Sequence, residues 1–324
     1  MPYLTPSSRK LGETTAVSED GTVTVTNTIA AVNAGETLVV AIGATDADTS
    51  QAVTLTSVSD NDGNTWQTPT NARATADYVP NAGLAFAYNA NAQAQSALTV
   101  TLTLAEADGG ADGVAVNVAL LALVNVEDGS NPLDVIVEGE GTGALYTETT
   151  PTGPLGQDTS IAVDVSAGWY GDPNSTGGSA NILKVQNGSG PGNVGTLVET
   201  RVLSGTGSTV GRVDHPDAAT VGVSMLRAVF KAKSSGSIRI KLLADPLTLT
   251  TAEKPFDVSL WRNGTQEQVL ARRFTVADVT SDGRIDLEGA DIPYENLSTS
   301  DTIKAYVVGQ TRWTGIFDAV VETF

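Results

Sequence analysis

The sequence of 324 residues contains no cysteine, which excludes disulfides, thiolate chemistry and cysteine-type zinc sites. Its formal net charge of −19 argues against partners that are themselves anionic, namely nucleic acids and acidic membrane surfaces. Hydrophobic residues make up 40% of the chain but aromatic residues only 5%, so a core must consist mainly of aliphatic side chains.

The acidic charge is concentrated in the first part of the chain. Residues 1–233 contain 9 basic and 24 acidic residues, whereas residues 234–324 contain 9 and 13. Between Leu11 and Leu183 the only basic residue is Arg73. A surface this acidic favours solubility, for example in a saline habitat, over binding to an anionic polymer.

Neither a secretion signal nor a membrane span is predicted. Residues 1–10 contain no apolar segment of the kind that a signal peptide needs. The longest apolar run, from Val114 to Val126, is interrupted by two asparagines and is too short to cross a bilayer. We therefore expect a protein that is made in a cytoplasm, stays soluble and does not insert into membranes.

Residues 1–10 hold two prolines, two serines and a basic pair, which predicts an N-terminal arm that is either disordered or docked on a neighbour. Residues 11–233 then show alternating or short apolar runs bounded by turn residues. Gly222 and the β-branched residues around it favour a strand over a helix in the last run. The predicted strands are 22–26, 37–42, 53–59, 84–88, 97–104, 114–126, 135–137, 161–165, 182–185, 197–203 and 221–230.

A hairpin is predicted around Asp62-Gly63, because Asp-Gly between apolar runs is a strong turn pattern. A two-residue loop would place Trp66 opposite a serine, whereas a three-residue loop places it opposite Val58. We favour the second register, since it puts two apolar side chains on one face. Leu55 then lies on the other face unless a bulge near Ser57 restores it.

The stretch Ser234-Ser235-Gly236-Ser237 is the best candidate for a linker. Turn residues recur every ~8–12 residues after it, which is typical of a small β-sandwich. Residues 234–324 are therefore predicted as a second, C-terminal domain, with strands at 238–242, 256–261, 269–276, 284–287, 303–308 and 316–324.

The first domain also matches a known sequence pattern, which consists of Gly35–Ala41, Ser57–Asp60, Gly63–Trp66, Ala87–Asn89, Leu98–Thr101 and Asn131–Asp134. This pattern resembles a jelly-roll-like β-sandwich module of bacteriophage and gene-transfer-agent virion proteins and of some bacterial surface proteins. The resemblance covers about residues 14–232, and the run 221–230 looks like the last strand of that module. The expected fold is thus all-β: a jelly-roll-like β-sandwich at 11–233 followed by a smaller β-sandwich. The resemblance carries no catalytic residues.

One candidate metal site lies in the predicted hairpin. Asp60, Asp62 and Asn64 offer side-chain oxygens at alternate positions, as at the start of a calcium loop. The twelfth position of such a loop is Asn71 instead of glutamate, so we favour a turn in which Asp and Asn support left-handed backbone geometry. Asp46 and Asp48 would add ligands only if the fold brought them close.

Two other polar segments are weaker candidates. The stretch Asp278–Asp286 resembles an EF-hand loop, but Gly289 stands at its twelfth position, so a hairpin at Asp282-Gly283 is the better interpretation. His215 is the only histidine, and any Ser-His-Asp triad would have to use it; we expect it in a polar surface loop. No cofactor is predicted.

Aromatic residues supply the remaining candidate site. Trp169 and Tyr170 precede a polar, glycine-rich segment and are able to stack on a sugar ring, although a core position at a strand end is the simpler interpretation. Trp313 allows the same two interpretations.

These observations lead to two functional predictions. The first is a structural, non-enzymatic virion protein, namely a homo-oligomeric decoration or spike protein that contacts other virion proteins on a phage-like capsid. The alternative is a carbohydrate-binding tail fibre or surface adhesin that contacts a host glycan through Trp169, Tyr170 and the loops at 171–220.

Overall fold

The chain divides into two compact units in the computed structural model. The large unit is Thr5–Lys233, and the split unit consists of Met1–Leu4 together with Ser234–Phe324. The division falls between Lys233 and Ser234, and the domain assignment of 11–233 and 234–324 stays a prediction. The structure describes residues 3–46, 52–73, 80–106, 113–127, 132–142, 146–169, 174–175, 180–186, 194–214, 222–233, 236–243, 254–262, 265–274, 284–286, 292–294, 303–309 and 319–323.

The described residues contain strands and no helix, so the all-β prediction is confirmed. Several antiparallel sheets lie face to face, as in the β-sandwich class, while the jelly-roll connectivity stays a prediction. The strands of the large unit are β1 (Ser7–Ser18), β2 (Thr22–Thr26), β3 (Thr37–Asp46), β4 (Thr54–Asp60), β5 (Thr70–Arg73), β6 (Asn81–Ala87), β7 (Thr99–Ala105), β8 (Val114–Val124), β9 (Leu133–Thr142), β10 (Tyr146–Glu148), β11 (Thr159–Trp169), β12 (Asn174–Ser175), β13 (Ala180–Gln186), β14 (Val194–Ser204), β15 (Arg212–Asp214) and β16 (Gly222–Lys231).

These strands form four sheets. The central sheet has the order β1-β8-β3-β6-β5, and the outer sheet on one side of it has the order β2-β7-β4. The flanking sheet on the other side has the order β13-β14-β11-β16-β9. A small cover sheet, β10-β15-β12, packs on the far face of the flanking sheet through Val213.

The inner strands of the central sheet, β3, β6 and β8, are buried on both faces, which explains why they are apolar almost throughout. Leu38, Val40 and Ile42 pack toward the outer sheet, whereas Val39 and Ala41, between them in sequence, pack toward the flanking sheet. Each such valine, leucine or isoleucine side chain stabilises the fold by roughly 1.5–3 kcal/mol when it is fully buried. A simple two-layer sandwich would bury only alternate residues.

The central and flanking sheets are joined by aromatic and polar contacts. Phe86 and Phe230 meet edge to face, with ring centroids 5.3 Å apart and planes at 85°. Asn117 donates through Nδ2 to the carbonyl oxygen of Val194 at 2.9 Å and to Oγ1 of Thr196 at 3.0 Å. This polar bridge between the sheets lies in the buried interior, where satisfied hydrogen bonds specify one arrangement of the layers.

The predicted arm is partly wrong, because Ser7 to Lys10 begin strand β1. This strand pairs with β8, with a bulge between Lys10 and Gly12. A Cβ atom on Gly12 would overlap the carbonyl oxygen of Thr26, so the strand approaches the outer sheet more closely there than any other residue type allows.

The predicted hairpin register is also wrong. Val58 pairs with Leu102 of β7, and Trp66 forms an isolated bridge with Ala87 of β6. The turn after β4 therefore carries the chain from the outer sheet to the central sheet instead of returning it along β4. The anticipated bulge is present between Leu55 and Ser57, and it allows both Leu55 and Val58 to pack on the same core.

The described residues of the split unit form two antiparallel sheets. In the first, β17 (Gly236–Leu243) pairs with β20 (Arg284–Asp286), β21 (Ile292–Tyr294) and β23 (Ala319–Thr323). In the second, β18 (Lys254–Arg262) lies between β19 (Thr265–Phe274) and β22 (Ile303–Gly309). The described strands lie within or beside the six segments predicted for this part of the chain, and β21 is an addition.

Candidate functional site

The carboxylate of Asp60 is the centre of the turn that was the candidate metal site. Its Oδ1 accepts the backbone N–H groups of Asp62 at 2.9 Å and Asn64 at 3.1 Å. Its Oδ2 accepts the side-chain amide of Asn64 at 2.9 Å and the indole Nε1–H of Trp66 at 2.8 Å. N–H donors therefore occupy the positions around both oxygens that a bound cation would need.

This hydrogen bonding also sets the charge state of Asp60. Partial burial on its own would raise the pKa of this carboxyl, but the hydrogen bonds from Asn64, Trp66 and the backbone N–H groups of the turn outweigh it. The net effect holds the pKa of Asp60 below its usual value of 3.8. The ionised carboxylate is thus a structural acceptor at neutral pH.

The other two candidate ligands also have protein partners. Asp62 Oδ1 accepts the side-chain amide of Gln93 at 2.6 Å, and Asn64 Oδ1 accepts the backbone N–H of Asn91 at 3.0 Å. Asp46 ends β3 of the central sheet, whereas Asp60 ends β4 of the outer sheet. Within the described ranges no three acidic or histidine side chains form a group that could hold a metal ion.

The structure leaves most of the remaining candidates untested. Trp169 is the last residue of β11 and pairs with Val194 of β14. The other candidates, namely Tyr170, His215, Asp48, the Asp278–Gly283 turn and Trp313, lie outside the described residues.

A buried ion pair in the flanking sheet was missed by the sequence analysis. Asp164 of β11 and Arg227 of β16 are directly opposite each other in the register. The guanidinium donates through Nε to Oδ1 at 2.7 Å and through Nη2 to Oδ2 at 2.6 Å. The side chains are 5% and 1% exposed. The pair therefore exchanges its hydration for two charge-assisted bonds in fixed geometry.

The cover sheet closes over this ion pair. A Cβ atom on Gly211 would lie 2.9 Å from Asp164 Oδ1 and 3.2 Å from Arg227 Nε, so only glycine lets the backbone approach so closely. Glu199 lies on the other side of Asp164 in the register, is also buried, and lines the same tight space as Met225. These groups are sealed from solvent and form a structural polar cluster instead of an open active site.

An open cleft lies where the edge strand of the central sheet meets the edge strand of the flanking sheet. It has a volume of about 310 Å³ and is lined by Arg73 of β5, Glu138 and Glu140 of β9, and Glu148 of β10. Glu148 Oε1 also lies 3.6 Å from Nη1 of Arg212 of β15. The exposed carboxylates and guanidinium of this cleft are able to accept and donate hydrogen bonds to a polar ligand.

The outward face of the outer sheet carries hydroxyl groups and no charged side chain. In the register of the three strands, Thr22 is beside Thr103 and Ser57, Thr24 is beside Thr101 and Ser59, and Thr26 is beside Thr99. Threonine combines a polar surface with a strong preference for strands, so this face is suited to solvent.

Comparison with known proteins identifies no relative. No protein-family model, curated protein or solved structure matches the chain. Among the residues that the structure describes, no helix is long and apolar enough to span a membrane.

Proposed function

We propose that this protein is a structural, non-enzymatic component of a phage-like virion, mounted on the capsid as a decoration or spike protein. The resemblance of residues 14–232 to virion modules supports this proposal, and so does the way the large unit is built. Its partners are other virion proteins and further copies of the same chain.

The observation that carries the proposal is the structural use of the conspicuous polar groups. Asp60 fixes a turn between two sheets, and Asp164 is sealed against Arg227 beneath the cover sheet. The central sheet is covered on both faces, so the large unit is a rigid stack of layers. Such a body is suited to holding a fixed surface toward solvent or toward a neighbour.

We assign attachment to the capsid to the split unit, because this unit carries less negative charge than the large unit. Residues 234–324 have a net charge of −4, whereas the first 233 residues have −15. Strong negative charge on the large unit repels other acidic surfaces and keeps it in solvent. The less acidic strands of the split unit meet a smaller electrostatic penalty when they approach another chain.

Fractionation of particles tests the proposal. Particles from the organism that encodes the chain are separated on a density gradient, and the chain is quantified by mass spectrometry in every fraction. We expect it to migrate with the major shell protein at a constant ratio. Recovery only in the unassembled fractions at the top of the gradient would overturn the proposal.

A second candidate function, glycan binding by a fibre or adhesin, is favoured by the cleft. Its volume of about 310 Å³ is within the range of small-ligand sites, and Arg73, Glu138 and Glu140 offer both donors and acceptors for sugar hydroxyls. Trp169 remains the proposed stacking residue.

A glycan array probed with the full chain tests this candidate. We expect the Glu140→Gln and Trp169→Ala variants to lose binding by at least tenfold, whereas Glu13→Gln, at an exposed site on β1, leaves it unchanged. Absence of any bound glycan, or equal binding by all three variants, would exclude this function.

A further inference from the structure

The split unit is assembled from two segments that are far apart in sequence. Met1–Leu4 belong to the same compact unit as Ser234–Phe324, and the entire large unit is inserted between them. Leu4 is only 9% exposed, so its side chain is packed in the folded chain. The two segments can meet only when the ends of the large unit are close together.

Asn125 holds these two ends side by side. Its side-chain Nδ2 donates to the carbonyl oxygen of Thr5, the first residue of the large unit, at 3.1 Å. Its own carbonyl oxygen accepts the N–H of Lys233, the last residue of that unit, at 2.8 Å. Asn125 has a φ of 59°, a left-handed conformation that asparagine tolerates better than most residues.

The neighbouring residues extend this junction in both directions. Ser7 pairs with Val124 at the end of β8, and Val126 forms a bridge with Ala232 just beyond β16. The end of β8 therefore fixes the entry and the exit of the large unit at once, and these contacts exist only when the central and flanking sheets have formed.

We propose that the split unit folds only after the large unit has folded. Bringing residue 4 to residue 234 through a disordered chain carries the entropy cost of closing a very long loop. Once the large unit has folded, the junction at Asn125 has already brought the ends together, and that cost no longer opposes assembly of the split unit. The split unit therefore reaches its native packing only in chains whose large unit is folded.

Pulsed hydrogen exchange during refolding of the full wild-type chain tests this order. The amides of β3 and β8 report on the large unit, and the amides of β17 and β18 report on the split unit. We expect β3 and β8 to become protected first, and β17 and β18 to follow in a later phase. Protection of β17 and β18 before or together with β3 and β8 would overturn the proposal.

Matched proline substitutions test the dependence at equilibrium. Leu120 lies in β8 between β1 and β3, and Val258 lies in β18 between β19 and β22, so proline at either site removes a ladder hydrogen bond from a central strand. We expect Leu120→Pro to abolish exchange protection in both units and Val258→Pro to abolish it only in the split unit. Native protection of β17 and β18 in soluble Leu120→Pro protein would contradict the proposed dependence of the split unit on the large unit.

Discussion

Asp60 Oδ2 accepts the indole Nε1–H of Trp66 at 2.8 Å, and this bond spans the turn between two different sheets. Asp60 ends β4 in the outer sheet, whereas Trp66 forms a bridge with Ala87 of the central sheet. The side chain of Trp66 packs on the core between those sheets. A single carboxylate therefore sets the turn and orients the indole that closes this part of the core.

Replacement of Asp60 by asparagine is expected to destabilise the large unit by about 1–3 kcal/mol, because the neutral amide cannot accept all four hydrogen bonds. Urea unfolding followed by tryptophan fluorescence measures the change. Asp158→Asn, at an exposed site, is the matched control and should change the free energy of unfolding by less than about 0.5 kcal/mol. Equal effects of the two substitutions would contradict the structural role of Asp60.

The same carboxyl predicts how stability depends on pH. Because the pKa of Asp60 is lower in the folded chain than its usual value of 3.8, its stabilising contribution is complete above that value. The contribution is lost as the pH falls through the folded-state pKa. The difference in unfolding free energy between wild type and Asp60→Asn should therefore shrink as the pH is lowered from 5 toward 2. A difference that stays constant over this range would show that ionisation of Asp60 is not involved.

We expect substitutions of Asp164 and Arg227 to have strongly non-additive effects on the free energy of unfolding. Asp164→Asn or Arg227→Met alone leaves a buried charge without its partner, and each should cost about 3–5 kcal/mol. The double variant should cost clearly less than the sum of the two single costs, as measured by a double-mutant cycle in urea. The exposed pair Lys10–Glu13 is the control, with an expected coupling below about 1 kcal/mol. Additive single effects at the buried pair would contradict the ion pair.

A substitution at Gly43 tests how closely the central and flanking sheets pack. A Cβ atom there would overlap Thr196 Oγ1, so Gly43→Ala should destabilise the unit by about 1–3 kcal/mol. The second substitution Thr196→Ala should recover part of that loss by removing the overlapping hydroxyl. Gly207→Ala, where nothing lies within 4 Å of the added atom, is the control for the general effect of alanine. No recovery in the double variant would place the strain elsewhere.

The turn after β4 also makes a prediction about calcium. The oxygens of Asp60 already accept four N–H donors, so added Ca²⁺ should not stabilise this turn. Thermal unfolding of the full chain in excess calcium and in EDTA should give the same melting temperature. A higher melting temperature in calcium that is lost in Asp62→Asn would contradict this view of the turn.

Most of the longer strands could be predicted from the sequence, because each depends on its own pattern. Thr22 to Thr26 alternate cleanly and form β2 with the predicted bounds. The apolar run from Val114 predicted a strand inside a sheet, and β8 lies between β1 and β3. Strand β1 was missed because an edge strand needs few apolar residues, and its polar start at Ser7 is typical of an arm.

The pairing of strands could not be predicted, because it depends on contacts between distant segments. The Asp-Gly pattern correctly indicated a turn after β4, but it does not say whether the next strand pairs with β4 or crosses to another sheet. Asp164 and Arg227 were visible as charges of opposite sign within two apolar strands. Their partnership follows only from the register of β11 and β16, which the sequence alone does not determine.

A cryo-electron microscopy map of the purified particle would test the proposed structural role most directly. The account predicts density for this chain on the particle surface, with strands β17 to β23 of the split unit against another virion protein. It also predicts that the face carrying Thr22, Thr24 and Thr101 is turned to solvent. A complete map in which all density belongs to other chains, with this protein found only outside the particle, would contradict the account.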